Sequence, residues 1–273
     1  MIKEALPDGD RVIKDLRQDY AAKVYFPLNK DQLDLFAQSF LDFLGLPPAF
    51  KNNEDLHFLL NDRPSADVGY LNRIKGEVGA RDNKQYFHFH PEAEIKFQHL
   101  LGKEKAFDNF MEQSRIVYDY CSATAAVELS RLDSRIGGVY EQFFDAHENR
   151  RPNFFLRTLA YYPTGDGDFL AEDHNDLAAF TFAFYQSHQG IQVDSPKGMK
   201  PIEIGQNEAL FFKGLQPVIG LPADLNIAEY HGVVQKPAAL INPAVARVSS
   251  VFFMDVLDPI TIDKSLVTTR MPH

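Results

Sequence analysis

Apolar residues in the first half of the chain recur mostly at intervals of three and four positions, which is the spacing of amphipathic helices. One run covers 33–43 and follows a candidate helix cap that begins at Asn29. A longer run covers 104–132 and contains no Gly or Pro. These patterns predict a mostly helical region at 1–150, which includes a further short helix at 139–147.

The pattern changes after Pro152. Short segments rich in aromatic and β-branched residues alternate there with Gly, Pro, Asp and Asn, which is typical of strands joined by turns. The predicted strands are 154–162, 178–185, 190–193, 209–212, 227–234 and 248–256. Because no helical segment separates them, a sandwich or jelly roll is favoured over a parallel α/β sheet.

The whole chain, 1–273, is therefore expected to form a single domain of the α+β class, mainly β with a helical N-terminal half. Residues 151–258 would form a jelly-roll core packed by helices. Residues 259–273 would form a C-terminal tail.

Charge and cysteine content exclude several classes of function. The 273 residues include 28 Lys and Arg against 38 Asp and Glu, so the net charge is −10. A chain this acidic is a poor general ligand for nucleic acid or an anionic membrane. One cysteine excludes an intrachain disulfide and a Cys-rich zinc site. Without an apolar leader or an apolar run of membrane-spanning length, the expected location is the cytoplasm.

Phenylalanine is frequent, with 23 Phe and 11 Tyr but no Trp. An aromatic core is the simpler explanation. A dry pocket that shields a reactive species is the functional alternative, and composition alone does not choose between them.

Three residues have the spacing of a metal site. His174 and Asp176 are two residues apart, and at a strand end such side chains point the same way. His231 lies inside a predicted strand and offers a third ligand. Two imidazoles and one carboxylate form a facial triad, which leaves three neighbouring coordination positions open and favours Fe(II).

A second pair of residues suits an anion. Arg247 and Ser249 are two apart at the start of a predicted strand, so they share one face. A guanidinium group beside a hydroxyl is well suited to a carboxylate. Taken alone, a surface salt bridge is the simpler explanation of Arg247.

Together, these motifs resemble the Fe(II)/2-oxoglutarate-dependent dioxygenases of the isopenicillin N synthase-like group. His174-x-Asp176 is followed by His231 and then by Arg247-x-Ser249, in the order and at the long spacing typical of that family. Segments that also resemble the family are 69–70, 84–89, 156–163, 174–182, 190–193 and 247–253. The resemblance is strongest between residues 154 and 255.

The resemblance implies a double-stranded β-helix core and a set of roles. It implies that His174, Asp176 and His231 bind iron and form the catalytic centre. It implies that Arg247 and Ser249 hold the distal carboxylate of the cosubstrate 2-oxoglutarate, and it makes Tyr162 a lesser candidate beside that cosubstrate. The implied activity uses O2 to hydroxylate, desaturate or cyclise a small-molecule substrate. The family's Arg-x-Ser does not by itself establish the cosubstrate.

Two other interpretations stay open at this stage, and so does the oligomeric state. His88 and His90, with Glu94 four positions later, have the spacing of half a cupin metal motif, although Asp82 replaces the usual leading Gly. The other alternative is a non-catalytic protein that binds small molecules on the same fold. Bound iron would separate an enzyme from such a protein.

The interval between His231 and Arg247 is long for the family and predicts an extended loop.

Overall fold

The computed structural model describes residues 9–60, 66–74, 83–145, 150–162, 169–194, 198–229, 231–234, 245 and 247–258. Within these ranges the α-helices are α1 (Gly9–Asp19), α2 (Lys30–Leu44), α3 (Pro48–Lys51), α4 (Glu92–Lys96) and α5 (Lys105–Ile136). Short 3-10 helices occupy Glu54–Leu56, Gln98–Leu100 and Tyr140–Gln142. Neither the tail expected at 259–273 nor most of the loop expected between His231 and Arg247 belongs to the described residues.

The strands of the described residues belong to two antiparallel sheets. They are β1 (Ala21–Tyr25), β2 (His57–Leu59), β3 (Asp67–Asn72), β4 (Lys84–Phe89), β5 (Asn153–Tyr161), β6 (Phe169–His174), β7 (Phe180–Gln186), β8 (Ile191–Val193), β9 (Lys200–Pro201), β10 (Glu208–Lys213), β11 (His231–Val234) and β12 (Arg247–Asp255). The large sheet has the order β1-β10-β7-β12-β5-β4-β3-β2, and the small sheet has the order β6-β11-β8-β9. The structure is thus mainly antiparallel β with packed helices.

Helix α2 begins where the polar pattern predicted. The side chain of Asn29 accepts a hydrogen bond from the backbone N–H of Gln32 at 3.0 Å, and the Gln32 side chain accepts one from the backbone N–H of Asn29 at 3.1 Å. This reciprocal capping box satisfies two N–H groups that a helix start leaves unpaired. The predicted N-terminus of α2 is therefore confirmed.

Helix α5 extends four residues beyond its predicted end. Of the short helix expected at 139–147, only 139–145 belong to the described residues, and they contain a 3-10 helix instead of an α-helix. Gly137 and Gly138 have φ values of +80° and +72°, which break the helical path. The carboxylate of Asp133 then accepts from the backbone N–H groups of Val139 and Tyr140 at 2.7 and 3.0 Å. A single 3-10 turn follows in the described part of this segment.

Strands were predicted only after residue 152, yet β1 to β4 precede it and join the large sheet. Every residue of β4 is buried, so this strand has no polar–apolar alternation to reveal it. β6 and the two-residue β9 were also missed. Helices still account for most of the regular structure described before residue 150.

The large sheet separates two apolar regions. Its outer face packs against α2 and α5, and this layer holds most of the fully buried aromatic rings. Those rings belong to Phe26, Phe36, Phe40, Phe43, Phe87, Phe89, Phe97, Phe107, Phe110, Phe143 and Phe154. Most of the Phe residues therefore belong to an aromatic core. Within the described ranges, no helix combines the length and the apolar character needed to cross a bilayer.

The inner face of the large sheet packs on the small sheet through two further clusters. One contains Tyr86, Leu159 and Tyr161 from the large sheet and Leu170, Ala171 and Val233 from the small sheet. The other contains Ala21, Ala183, Leu210 and Phe212 from the large sheet and Ile191 and Val193 from the small sheet. The predicted metal and anion residues lie in and beside this interior.

Candidate metal and cosubstrate site

Two paired strands bring the histidines together. β6 ends at His174, β11 begins at His231, and these two residues are direct partners in the antiparallel register. Their ring centroids are 4.5 Å apart. Asp176 follows two residues later in the loop that leads to β7, beyond the end of the strand. The expected nearness of His174 and Asp176 thus arises from a strand end and a turn.

The three side chains offer one compact set of donor atoms. His174 Nε2 lies 3.8 Å from Asp176 Oδ1, and His231 Nε2 lies 3.8 Å from Asp176 Oδ2. One ligand atom from each residue falls within 4.8 Å of the others. Elsewhere in the described ranges, no second group of three His, Cys, Asp or Glu side chains has this arrangement. Two imidazole nitrogens and a carboxylate oxygen form the donor set that suits Fe(II).

The carboxylate of Asp176 is held in place from within the chain. Thr181 donates its hydroxyl hydrogen to Asp176 Oδ2 at 2.9 Å, and Asp176 is only 7% exposed. Burial alone raises the pKa of this carboxyl, but the charges of His231 and His174 bring its pKa below the usual value. Asp176 is therefore ionised, which is the form of a carboxyl group that can bind a metal.

The backbone at Asp176 is fixed by the turn that follows β10. Leu215 donates its N–H to the carbonyl oxygen of Asp176 at 2.8 Å. Gly214 is required in this turn because a Cβ would stand 2.1 Å from the carbonyl oxygen of Ala178. The buried Nζ of Lys213 donates to the carbonyl oxygens of Gly214 and Gln216 at 2.7 and 2.6 Å, which closes the turn.

Sequence reasoning missed one residue that orients His231. Glu229 is completely buried, and its Oε2 lies 2.9 Å from His231 Nδ1. A carboxylate at this position accepts the Nδ1 proton and leaves Nε2 with a lone pair for a metal. Burial lowers the pKa of His231, but Asp176 and Glu229 outweigh that effect and raise it to about 9. The available signal was an acidic residue two positions before the histidine.

The anion pocket consists of buried donors. Arg247 is 4% exposed and donates from Nη2 to Gln186 Oε1 at 2.6 Å. Its Nε and Nη1 atoms, the Ser249 hydroxyl and the Gln186 amide nitrogen are buried and have no hydrogen-bond partner within the described part of the chain. Burial lowers the pKa of Arg247 to about 10, still far above neutral pH. A buried cation with unpaired N–H groups suits a carboxylate.

Tyr162 lies outside this pocket. Its half-buried ring packs against the apolar cluster on the helical side of the large sheet, and burial raises its pKa. Tyr161 is the direct partner of Arg247 in the β5–β12 register and belongs to the inner cluster. The structure thus places Tyr161, and not Tyr162, beside the predicted anion site.

The cupin-like interpretation fails on geometry. The His88 ring nitrogens are engaged by the Asp67 carbonyl oxygen and by Arg157. His90 Nδ1 accepts from the backbone N–H of Glu92, and the Glu94 carboxylate pairs with Arg115. These side chains belong to different local networks and form no ligand cluster among the described residues.

No protein-family model and no curated protein matches this chain. Solved structures do match it. A full-length Neurospora crassa protein solved in complex with alpha-KG is 18% identical, with 91% of this chain and 79% of that chain covered and a TM-score of 0.67. Dioxygenase for auxin oxidation 1 from Arabidopsis thaliana, in a 2-oxoglutarate complex, is 13% identical, with coverages of 97% and 94% and a TM-score of 0.64.

A third similar structure is JOX2 in complex with 2OG, Fe and JA. It is 15% identical, with 96% of this chain and 76% of that chain covered and a TM-score of 0.65. At such low identity the similarity concerns the fold. The chain has the fold of Fe(II)- and 2-oxoglutarate-dependent oxygenases.

Proposed function

We propose that this protein is a non-haem Fe(II) oxygenase that uses O2 and 2-oxoglutarate to hydroxylate a small molecule, with desaturation or ring closure as variants of the same chemistry. One observation carries the proposal. A facial-triad donor set and a buried arginine with two unpaired nitrogen atoms occur in the interior of a fold that known 2-oxoglutarate oxygenases share. Neither feature alone has this specificity.

The proposed core is a double-stranded β-helix, or jelly roll, within a single domain. Its eight strands would be β10, β7, β12 and β5 of the large sheet, and β6, β11, β8 and β9 of the small sheet. The antiparallel pairing throughout and the non-sequential strand order support this assignment. β1 to β4 would extend the large sheet on both sides of this core.

The proposed metal ligands are His174, Asp176 and His231. His174 and His231 present Nε2 atoms toward a single carboxylate, and the two buried supports described above, Thr181 and Glu229, keep that carboxylate and the His231 ring oriented. When bound, Fe(II) with 2-oxoglutarate and O2 would supply the oxidation of an unactivated C–H bond. The protein contributes ligand orientation and a dry interior.

The proposed role of Arg247 and Ser249 is to bind the distal carboxylate of 2-oxoglutarate. Arg247 supplies charge and N–H donors, and Ser249 supplies a hydroxyl on the same face of β12. An anion there would remove the cost of leaving these buried donors unpaired. Tyr161, which faces the pocket, replaces Tyr162 as the aromatic residue proposed beside the cosubstrate.

The proposed substrate is a small organic molecule. Matching structures include the Neurospora crassa protein solved with thymine and JOX2 solved with JA, which supports a substrate of that size. The single, buried thiol of Cys121 is compatible with a reducing compartment and supports the proposed cytoplasmic location.

The test is a turnover assay in which the purified protein receives Fe(II), 2-oxoglutarate, O2 and a library of small metabolites. Succinate formation that depends on one library compound, with a mass gain of one oxygen atom or a loss of two hydrogens in that compound, is the expected result. His174→Ala and His99→Ala serve as the inactive and the active variants, because His99 is half-exposed and pairs with Asp55 away from the site. Equal succinate formation in wild type and His174→Ala would contradict the proposal.

A further inference from the structure

One cation in the interior has no role in the metal or cosubstrate chemistry proposed above. Arg157 lies in the middle of β5, where Leu159 and Tyr161 of the same strand point into the space between the two sheets. Because side chains alternate along a strand, Arg157 shares this inner face. It is only partly exposed, which is unusual for a charged side chain that has no ion-pair partner among the described residues.

The position of the guanidinium is fixed by three neighbours. Its Nε donates to His88 Nε2, and its Cζ lies 4.5 Å from the centroid of the Phe253 ring and 5.2 Å from that of Tyr86. His88 Nδ1 lies 2.8 Å from the carbonyl oxygen of Asp67, which assigns the His88 proton to Nδ1 and leaves Nε2 as an acceptor. His88 therefore holds Arg157 without neutralising its charge.

The terminal amino groups of Arg157 are available to a ligand. Within the described part of the chain, the guanidinium of Arg157 makes its hydrogen bond through Nε, and Nη1 and Nη2 have neither a hydrogen-bond partner nor a carboxylate within ion-pair distance. Two parallel N–H groups on a fixed plane match the two oxygens of a carboxylate. The Phe253 and Tyr86 rings add apolar surface beside that plane.

This cation is adjacent to the proposed metal centre. Phe253 is the direct register partner of Thr181, and the Thr181 hydroxyl is bonded to Asp176. Burial lowers the pKa of Arg157, whereas the nearby charge of Asp176 raises it. Arg247 lies six residues before Phe253 on β12, near the opposite end of that strand, so the two arginines mark different positions of the interior.

A second cation extends the positive charge toward solvent. Arg73 is exposed, and its Cζ lies 5.3 Å from the same Tyr86 ring that Arg157 contacts. Two guanidinium groups against one ring produce a local positive potential on a chain whose net charge is −10. Such a potential attracts anions to this part of the interior.

We infer that the substrate is a small carboxylic acid with an apolar or aromatic body, and this inference rests on the proposed function. Arg157 is the residue that determines specificity for that acid. The carboxylate binds the terminal amino groups of Arg157, and the apolar body packs on Phe253 and Tyr86. This arrangement leaves Arg247 free to hold 2-oxoglutarate at the same time.

The test is a binding comparison of acids with their uncharged amides. Protein loaded with Zn(II), which is not redox active, and saturated with 2-oxoglutarate is titrated with benzoate, phenylacetate, 3-phenylpropanoate and octanoate, and with the four corresponding primary amides. Wild type should bind at least one acid roughly tenfold or more tightly than its amide, as expected for a charge-assisted hydrogen-bonded pair. Arg157→Gln should bind both members of that pair equally, and Arg157→Lys should keep part of the preference.

Arg151→Gln is the matched control. Arg151 lies six residues before Arg157, is exposed and pairs with Glu92. It should bind the acid as wild type does. An unchanged acid preference in folded Arg157→Gln, or no saturable binding of any acid by wild type, would overturn the inference. A large loss of 2-oxoglutarate affinity in Arg157→Gln would also overturn it. Failure of wild type to bind metal or 2-oxoglutarate would instead contradict the proposed function itself.

Discussion

The two ends of the proposed site differ in how far the chain satisfies its own polar groups. At the metal end, Thr181 supplies a donor to Asp176 and Glu229 supplies an acceptor to His231. At the arginine end, Arg247 gives one hydrogen bond to Gln186, but its Nε and Nη1 atoms and the Ser249 hydroxyl are buried without acceptors in the described part of the chain. The metal end is therefore preorganised by the protein, whereas the arginine end becomes fully hydrogen-bonded only when an anion is present.

This difference predicts that the metal end tolerates the loss of its ligand, whereas the arginine end is destabilised by the loss of its own. Without metal, the side chains of the triad still attract one another, because two imidazoles surround one carboxylate. Without 2-oxoglutarate, the arginine pocket retains a buried charge that costs free energy. We therefore expect 2-oxoglutarate to stabilise the arginine pocket more than the metal stabilises the triad.

The largest effect is expected from removing a ligand of the metal end. Asp176→Ala should weaken Fe(II) binding by more than about 100-fold, since changing a residue that only supports a ligand already costs roughly 10–100-fold. Anaerobic competition with a coloured chelator measures this affinity. Asp119→Ala, an exposed carboxylate that pairs with Arg115 on α5, is the control. Equal iron affinity in wild type and Asp176→Ala would remove this residue from the site.

The next effect is confined to the arginine end. Arg247→Gln removes a charge that no other described residue of the pocket replaces, so 2-oxoglutarate affinity should fall by about 10- to 100-fold, as expected for a hydrogen bond to a charged group. Iron affinity should stay within about twofold, because Arg247 is absent from the hydrogen bonds of the triad. Isothermal titration with each ligand separates the two effects. A parallel loss of iron binding would show that the ends are not independent.

A smaller effect is expected from the support of His231. Glu229→Gln keeps the size of the side chain but removes the negative charge that accepts from His231 Nδ1. Iron affinity should fall by about tenfold. Glu94→Gln, a matched change in an exposed ion pair with Arg115, should have no effect. If both variants bind iron as wild type does, the Glu229 carboxylate has no positioning role.

The smallest effect concerns stability without ligands. Arg247→Met replaces a buried guanidinium that has unpaired N–H groups, so the free energy of unfolding of the ligand-free protein should rise by about 1 kcal/mol. With saturating 2-oxoglutarate the order should reverse, because only wild type gains from the anion. Urea unfolding with and without the cosubstrate measures both. Destabilisation of the ligand-free protein by Arg247→Met would mean that the pocket is satisfied without an anion.

The proximity of the residues at each end was predictable, because strand pairing and strand alternation follow from positions in the sequence. His174 and Asp176 lie at the end of one strand, and the partner strand brings His231 beside them. Arg247 and Ser249 share a face through strand alternation. Helices α2 and α5 were predictable for the same reason, since one face of each is buried and its apolar spacing shows in the sequence.

The missed features have physical explanations. β4 is buried on both faces, so it lacks the alternation that identifies a strand. A shift of one residue along a strand exchanges its two faces, which is why Tyr161 and not Tyr162 faces the arginine. Glu229 is completely buried, and its carboxylate is paired with His231. No sequence pattern predicts that contact.

The most direct test of the central claim is whether one ligand connects the two ends. Anaerobic titration of 2-oxoglutarate into wild type should show one binding site per chain. Adding Fe(II) should tighten that binding by at least about tenfold, because the metal offers a second attachment point to a cosubstrate already held by Arg247. Arg247→Gln should weaken binding whether or not iron is present. Equal 2-oxoglutarate affinity with and without Fe(II), or no saturable binding in either case, would contradict the account.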